Sequence, residues 1–344
     1  MNRYMEQHET LFVEAEVCRK AGIQALLQAG APADHAAIQV DLLLEAELRG
    51  RASHGLQRLP RLVERIGNGV LCPRTKGRVR FRSESFLEVD GEAGFGPVVA
   101  LNALDIASER ARASGLAVAC IRNNNHLGML AYYAERVAKA EQILIALSTS
   151  EALVHPWGGR KAMLGTNPIA IGVPSRPTPF VLDMATSLVS MGQIHAHAHR
   201  GQPLEPGWAL DERGDPTLDA SAAKDGAIAP FGDAKGYALG LGFELLVATL
   251  TDSALGTDVK GTLDSDQLCN KGDVFIVVDP TSSSVASRVS AYLDSIRACP
   301  PSTPGRSVTV PGDRANRVRS ISLKSGVELN RDVWMQIQRL ATAA

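Results

Sequence analysis

From Arg78 to Val278 the chain alternates short apolar runs with longer segments of helical period, and no G-x-G-x-x-G turn follows a first strand. Alternation of this kind builds an α/β body, a sheet packed between helices. The missing glycine fingerprint excludes the common dinucleotide-binding turn, so any nucleotide site here is of a less common kind. P-loop, H-E-x-x-H and G-x-S-x-G patterns are missing as well.

The flanks of this region read differently. Val13 to Leu27 and Ala36 to Leu48 carry apolar residues at helical spacing, with Gly30-Ala31-Pro32 as a break between them. The pattern resumes at Leu59 and stops at Gly67 and Gly69. Inside the body, RVRFRSESFLEVDG from Arg78 reads as a strand or hairpin, and Pro97 to Ser114, Leu130 to Ala140 and Leu188 to Arg200 as helices. Ala117 to Ile121 reads as a buried strand, and Ile143 to Ser148, Ile169 to Val173, Phe180 to Leu182 and Val274 to Val278 as further strands. Gly201 to Ala229 and Asp258 to Lys271 read as irregular, and Pro300 to Pro311 as a linker. Gly236 to Thr251, Val285 to Cys299 and Leu329 to Ala344 complete the helices. The last of these and the helix after Lys235 are expected to pack back on the N-terminal helices. That makes one domain discontinuous: residues 1–76, about 230–262 and 312–344 helical, and 77–229 with about 263–311 as the α/β body.

With 344 residues and a prior of roughly 150 per domain, two domains are expected. Lys and Arg total 36 against 37 Asp and Glu, so no global charge favours nucleic acid or an anionic membrane. The N-terminus MNRYMEQHETLFVEAEVCRK has no apolar core of a signal peptide, and no run of 18 or more apolar residues occurs. Cys18, Cys72, Cys120, Cys269 and Cys299 are scattered and odd in number, which favours a reducing cytoplasm over a disulfide framework.

Several segments carry chemistry. In Arg51-Ala52-Ser53-His54-Gly55-Leu56-Gln57-Arg58 a serine adjoins a histidine that can move a proton, and Arg58 can clamp a carboxylate; on a helix His54 and Arg58 would share a face. A solvated surface pair is the plain alternative. Asn123-Asn124-Asn125-His126-Leu127-Gly128 lies where a strand meets a helix, the usual place for ligands in open sheets, though a polar turn would read the same. Asp183-Met184-Ala185-Thr186-Ser187 opens a helix and can present backbone N–H groups to an anion, or simply cap. Leu164-Gly165-Thr166-Asn167-Pro168 is a polar turn, and Lys235 stands at the start of a long helix where a phosphate would be welcome. Of His195, His197 and His199 only the outer two share a helical face, with no acid close by, so no metal is expected.

Taken in order, SHGLQRLP at Ser53, NNNHLGMLAYYAERVA at Asn123, LGTNPIAIGVPS at Leu164, LDMATS at Leu182, DAKGYALGLGFELL at Asp233 and PGDR at Pro311 resemble the type-2 malate/L-lactate dehydrogenase family. Its members include ureidoglycolate, sulfolactate and diketogulonate oxidoreductases and cyclic imino acid reductases. The resemblance spans almost the whole chain. It implies a non-Rossmann NAD(P)-binding α/β domain with a discontinuous, mainly helical second domain, NAD or NADP as cofactor, and a homodimer. It implies His54 as the catalytic proton donor and acceptor with Ser53 beside it, and His126 as a competitor for that role. Arg58, Thr166, Met191 and Gly192 match substrate-contacting positions. His126, Leu127, Gly128, Met129 and Leu130, then Asp183, Met184, Ala185 and Thr186, Lys235 with Gly236, and Pro311, Gly312, Asp313 and Arg314 match cofactor segments. One departure stands out: Gln193 is neutral where imino acid reductases carry an acid and many hydroxy acid dehydrogenases a lysine. The reading that follows is hydride transfer between a nicotinamide and a small 2-hydroxy or 2-oxo acid. A Δ1-piperideine- or Δ1-pyrroline-2-carboxylate reductase is the runner-up, and an inactive ligand-binding relative the alternative of another class.

Overall fold

A computed structural model describes residues 10–280 and 285–342. Strand β1 (Thr10–Val13) leads into α1 (Ala15–Gln28) and α2 (Ala33–Leu48), and α3 is Leu59–Gly67. Gly30, at φ +87°, supplies the left-handed turn between α1 and α2. The body then runs β2 (Arg78–Ser83), β3 (Phe86–Asp90), α4 (Gly96–Ser114), β4 (Leu116–Arg122), α5 (Ala131–Lys139), β5 (Ile143–Ser148), β6 (Ile169–Val173) and β7 (Phe180–Met184). After α6 (Met191–His199) come three two-residue strands, β8 (Ala209–Leu210), β9 (Pro216–Thr217) and β10 (Ala227–Ile228), then α7 (Ala234–Thr251) and β11 (Gly272–Val278). The chain closes with α8 (Val285–Arg297), α9 (Asp313–Ser325), β12 (Val327–Asn330) and α10 (Arg331–Thr342).

Seven strands form the central sheet in the order β2-β3-β4-β11-β5-β6-β7, and only the β3–β4 pair is parallel. The two-residue period of a strand sorts its side chains between two cores. Ala117, Ala119 and Ile121 of β4 and Phe275 and Val277 of β11 face α4 and α5. Val118, Cys120, Val274 and Ile276 point the other way, onto Phe243, Val247 and Leu250 of α7. Small residues on β4 and Ala100, Ala103, Ala107 and Ala111 on α4, all fully buried, let that helix lie close to the sheet. On the far side of α2 a second core joins α1, α3 and α10 through Leu26, Leu43, Leu59, Trp334 and Ile337. Helix α2 serves both cores: Leu42 and Ala46 belong to the sheet side, Val40, Leu43 and Leu48 to the helical side.

Several expected boundaries move, each for a reason visible in packing. Val13 is not helical but closes β1, which pairs antiparallel with β12, Val13 opposite Val327. Leu329, expected as the start of the last helix, is therefore in a strand, and α10 begins at Arg331; the expected helix end at Ala343 and Ala344, like residues 1–9 of the expected first domain, lies outside the described residues. Gly201 to Ala229 is not wholly irregular: β8, β9 and β10 form a small sheet around Ala209 and Ile228. Helix α9 lies in the segment 312–344 expected to be helical, although no single helix is expected there before Leu329; its sequence is strongly polar and none of its residues is buried, so it carries no apolar stripe to read. The tail α10 does pack on α1 and α3 as expected, but α7 covers the sheet rather than the N-terminal helices.

Candidate active site

The segment from Ala52 to Arg58 is not one helix. It forms two single 3₁₀ turns, Ala52–His54 and Leu56–Arg58, broken at Gly55, whose backbone is extended at φ −98°, ψ −153°. Glu47, at the end of α2, sets the break. Its Oε1 accepts the Leu56 N–H at 2.8 Å, and a Cβ on Gly55 would lie 2.2 Å from that oxygen. Burial pushes the Glu47 carboxyl up to about 8, against the pull of the Leu56 and Gln57 N–H groups. His54 and Arg58 therefore meet through the loop rather than along a helix face: Arg58 Nε donates to the Ser53 carbonyl at 2.7 Å.

The second half of the site is the turn after β4. Each asparagine there has a structural partner. Asn123 donates to Asp90, Asn124 to Asp273, and Asn125 donates to the Ala93 and Gly94 carbonyls while accepting from Arg65. Gly128 turns the chain at φ +71° and packs so tightly that a Cβ would lie 2.4 Å from Leu42 Cδ2. These anchors deliver His126 to a place where its ring centroid is 5.5 Å from that of His54, the planes tilted by 44°.

The two rings differ in what they can do. His126 Nδ1 accepts the Gly128 N–H at 2.9 Å, so the ring is neutral there, with its proton on Nε2. His54 Nδ1 lies 2.9 Å from Ser53 Oγ, a hydroxyl that can either donate or accept, so His54 tolerates both protonation states. Burial first, then the Arg58 and Arg51 guanidinium groups, push the His54 pKa down to about 3. Burial and the same arginine push His126 well below the ordinary histidine value. Arg58 is itself lowered to about 10 by burial and by Arg61. Two groups more join here: a Cβ on Gly192 would lie 2.8 Å from Ser53 Cβ, so the start of α6, with Met191 and Gly192, abuts the serine, and Ser190 caps that helix through the Gln193 N–H.

A cleft with room for about 190 Å³ opens beside this centre. Arg51, Asp183, Pro311 and Gly312 line it, with Ala131 from the start of α5. Asp183 accepts the Ala131 N–H at 3.0 Å, Arg51 lies 3.4 Å from its Oδ2, and burial holds its carboxyl above the usual carboxylate range. Three of its features would suit a cofactor phosphate: the Arg51 guanidinium, the left-handed Gly312 at φ +97°, and the N-terminus of α9. Arg51 joins the cleft to the histidine pair, since its charge acts on His54.

Other expected residues fall elsewhere. Leu127, Met129 and Leu130 are buried in the sheet core, so only their backbone borders the site. Asp313 is held by the Arg297 guanidinium, both bonds at 2.9 Å, and Arg314 is exposed. Thr166 and Thr186 bind each other, Thr186 Oγ1 to the Thr166 carbonyl at 2.9 Å, under Gly240 of α7, and buried Glu244 fixes that turn through Asn167 Nδ2 at 2.6 Å. Met184 and Ala185 lie between this cluster and the cleft, at and just beyond the end of β7, Gly236 is packed against the Phe231 carbonyl, and Lys235 is exposed. Neither Thr166 nor Lys235 lines the cleft or the pocket at His126. Sequence reasoning missed Arg51, Arg61 and Glu47. Arg61 was within reach, because Arg58, Arg61 and Arg65 recur at helical spacing. Among the described residues no group of three or more His, Cys, Asp or Glu side chains is placed to hold a metal, and His197 instead bonds the Pro203 carbonyl.

Two facing histidines, a guanidinium with no carboxylate partner among the described residues and an adjoining cleft suit an oxidoreductase acting on a small acid. The family model for malate/L-lactate dehydrogenase matches residues 13–338, and the chain belongs to that family. It is 34% identical over 337 residues to the malate/(S)-sulfolactate dehydrogenase of Methanothermus fervidus, covering 96% of this chain and 97% of the relative. It is 35% identical over 252 residues to a Δ1-pyrroline-2-carboxylate/Δ1-piperideine-2-carboxylate reductase of Pseudomonas aeruginosa, covering 72% and 74%. Among solved structures, a dehydrogenase from Sinorhizobium meliloti superposes with a TM-score of 0.94 at 49% identity, over 99% of this chain and 100% of that one. The sulfolactate dehydrogenase of Methanocaldococcus jannaschii gives 0.90 at 32% identity, over 96% of both. The chain is thus a dehydrogenase or reductase of the NAD- or NADP-using kind.

Proposed function

We propose that this chain interconverts a small 2-hydroxy acid and its 2-oxo acid, and that His54 moves the proton. The observation that carries the reading is the pairing of His54, neutral and braced by Ser53, with Arg58, which has no carboxylate partner among the described residues. Arg58 holds the substrate carboxylate with its forked N–H groups. In oxidation, neutral His54 accepts the hydroxyl proton at Nε2, while Nδ1–H donates to Ser53 Oγ. In reduction, protonated His54 returns that proton to the oxygen formed at C2. His126, with its proton fixed on Nε2, donates a hydrogen bond and orients without titrating. Arg51, Asp183 and Gly312 hold a nicotinamide cofactor, which when bound supplies or accepts the hydride at C2 of the substrate.

Turnover of NADH or NADPH with pyruvate, oxaloacetate and sulfopyruvate, set against cyclic imino acids, tests the reading. Oxidation of the nicotinamide by the open-chain acids is the expected result; activity with the cyclic imines alone would replace it with the reductase reading, for which neutral Gln193 lacks the acid. The same reading includes a homodimer. Its support is α7, on which Leu239, Leu245 and Leu246 are left exposed. A cytoplasmic setting is supported by five cysteines that are all free thiols. Among the described residues no helix is long and apolar enough to cross a membrane.

A further inference from the structure

Between α7 and β11 the chain loops back past the end of α3, and Gly261 and Thr262 of that loop line a pocket shared with Arg58, Gln39 and His126. The loop meets α3 at Arg65, which is 3% exposed. Arg65 Nη1 donates to the Asp264 carbonyl at 2.8 Å and Nη2 to the Gln267 carbonyl at 3.0 Å, with the Asp264 carboxylate 3.5 Å from Nη1. Arg65 Nε turns the other way and donates to Asn125 Oδ1 at 3.1 Å. The loop is braced where it receives these bonds. Asp264 accepts the Gln267 N–H at 3.0 Å and the Gly261 N–H at 3.2 Å, and Glu151 accepts the Thr262 and Leu263 N–H groups at 2.7 and 2.8 Å.

The nearest partners of Arg65 are three neutral oxygens from two separate segments, so its place depends on the direction of the guanidinium fork as well as on its charge. Asn125, 2% exposed, spends its Nδ2 on the Ala93 and Gly94 carbonyls at 2.7 and 2.8 Å. Its Oδ1 accepts from Arg65, and loss of that bond would leave a buried amide oxygen unpaired unless the turn shifted. The next residue is His126. Its Nδ1 is already taken by the Gly128 N–H, so the direction of its Nε2–H follows the turn. We propose that Arg65 is a positioning residue for the reaction: the braced loop fixes the guanidinium, the guanidinium fixes the Asn125 amide, and the amide aims His126 Nε2–H toward the substrate. The inference rests on the orienting role given to His126 above.

The test is a double-mutant cycle between Arg65→Lys and His126→Ala, read as kcat/KM and as single-turnover oxidation of NADH or NADPH, which keeps slow variants measurable. Lysine keeps the charge but cannot reach both the loop and Asn125. In the wild-type background Arg65→Lys is expected to lower kcat/KM by about 10- to 100-fold, the scale of a small misplacement at a reacting centre. In the His126→Ala background the same change is expected to cost less than about threefold, because there is no ring left to aim. A purely structural arginine would cost the same in both backgrounds, and equal losses overturn the inference, as does an Arg65→Lys variant with unchanged kcat/KM. Asp264→Ala repeats the cycle from the partly exposed end of the relay, and it decides the matter if Arg65→Lys lowers the thermal midpoint too far to assay. Its expected loss is about 3- to 10-fold with His126 present and less than about twofold without it. The substrate is whichever acid the wild type turns over, 2-oxo acid or cyclic imine, so failure of the 2-oxo acid reading and failure of this inference are separate results.

Discussion

Arg49 and Arg58 flank the same loop, one buried and the other half-buried, yet their surroundings are opposite. Arg49, 7% exposed, gives its Nε to Glu45 at 2.6 Å, pairs with Glu135 and reaches Asn316 Oδ1 at 3.4 Å. Arg319 and Lys139 complete that network, each 2.6 Å from a carboxylate. Arg58 has one carbonyl, and beside it Arg61 and two histidines held neutral. Desolvating a charge costs several kcal/mol unless a partner repays it, so a fully paired guanidinium marks architecture and an unpaired, half-buried one marks a place kept for a ligand. The difference separates the wall of the cleft from the floor of the reaction centre.

The largest effect is expected where the two histidines are told apart. His54→Ala should lower kcat by about 10²- to 10⁴-fold, the scale of a lost general acid, with cofactor affinity nearly intact. His126→Ala should chiefly weaken cofactor or substrate positioning, because Gly128 N–H already occupies its Nδ1. Stopped turnover in His126→Ala with cofactor still tightly bound, together with a His54→Ala variant that changes only KM, reverses the assignment.

Next comes the contrast itself. Arg49→Ala leaves Glu45 to Arg319 and Glu135 to Lys139, and should cost about 1–3 kcal/mol of stability, read as a drop in the denaturation midpoint. Arg58→Lys should leave that midpoint in place and lose about 2–4 kcal/mol in kcat/KM, since an ammonium cannot reproduce a forked clamp. If the two variants exchange these phenotypes, pairing is not what distinguishes the sites.

How much of this could be read from the chain depended on whether the controlling contact was local. Strands β4, β5, β6 and β11 were legible because both of their faces are buried, giving short apolar runs. The Ser53–His54–Arg58 group was legible as a set of residues but not as a geometry, because the break at Gly55 depends on Glu47, a carboxylate from the preceding helix. β1 and β12 could not be paired from sequence, since the partners lie at opposite ends of the chain. That Arg65 is the arginine Asp264 neutralises was equally out of reach: a list of arginines does not say which of them a distant carboxylate will meet.

The pH profile sharpens the same contrast at about tenfold per unit. In the free enzyme the His54 pKa sits near 3, far below the ordinary histidine value, so at neutral pH the ring is almost entirely neutral. Reduction needs the protonated ring, and its kcat/KM should therefore fall about tenfold for each pH unit above the depressed pKa, through the neutral range. Oxidation needs the neutral ring and should be flat over the same range. Stability carries the matching sign. Between the folded and unfolded values the unfolded chain binds the proton and the native one does not, so each such histidine adds up to about 1.4 kcal/mol of stability per pH unit as pH rises toward 6.5. A reduction rate that rises with pH would show that the proton comes from another group.

The smallest effect is expected at Lys235, and it marks where the comparison stops applying. Lys235 has no carboxylate within ion-pair distance among the described residues, as Arg58 has none, but it is exposed at the start of α7. Water satisfies an exposed ammonium at little cost, so its unpaired state carries no information about a ligand. What remains is its position one residue into a helix, where a phosphate gains about 0.3–1 kcal/mol from charge and terminal N–H groups. Lys235→Ala should accordingly weaken NADH or NADPH binding by only about two- to fivefold and leave kcat nearly untouched. Fluorescence titration at low salt and again at 0.5 M added salt reads it: a phosphate contact at an exposed lysine shrinks as salt screens it. A Kd that Lys235→Ala does not move at low salt removes this residue from the cofactor site, while a loss above about tenfold means that the ammonium is desolvated when cofactor binds, as it would be if α7 is covered by a second copy of the chain.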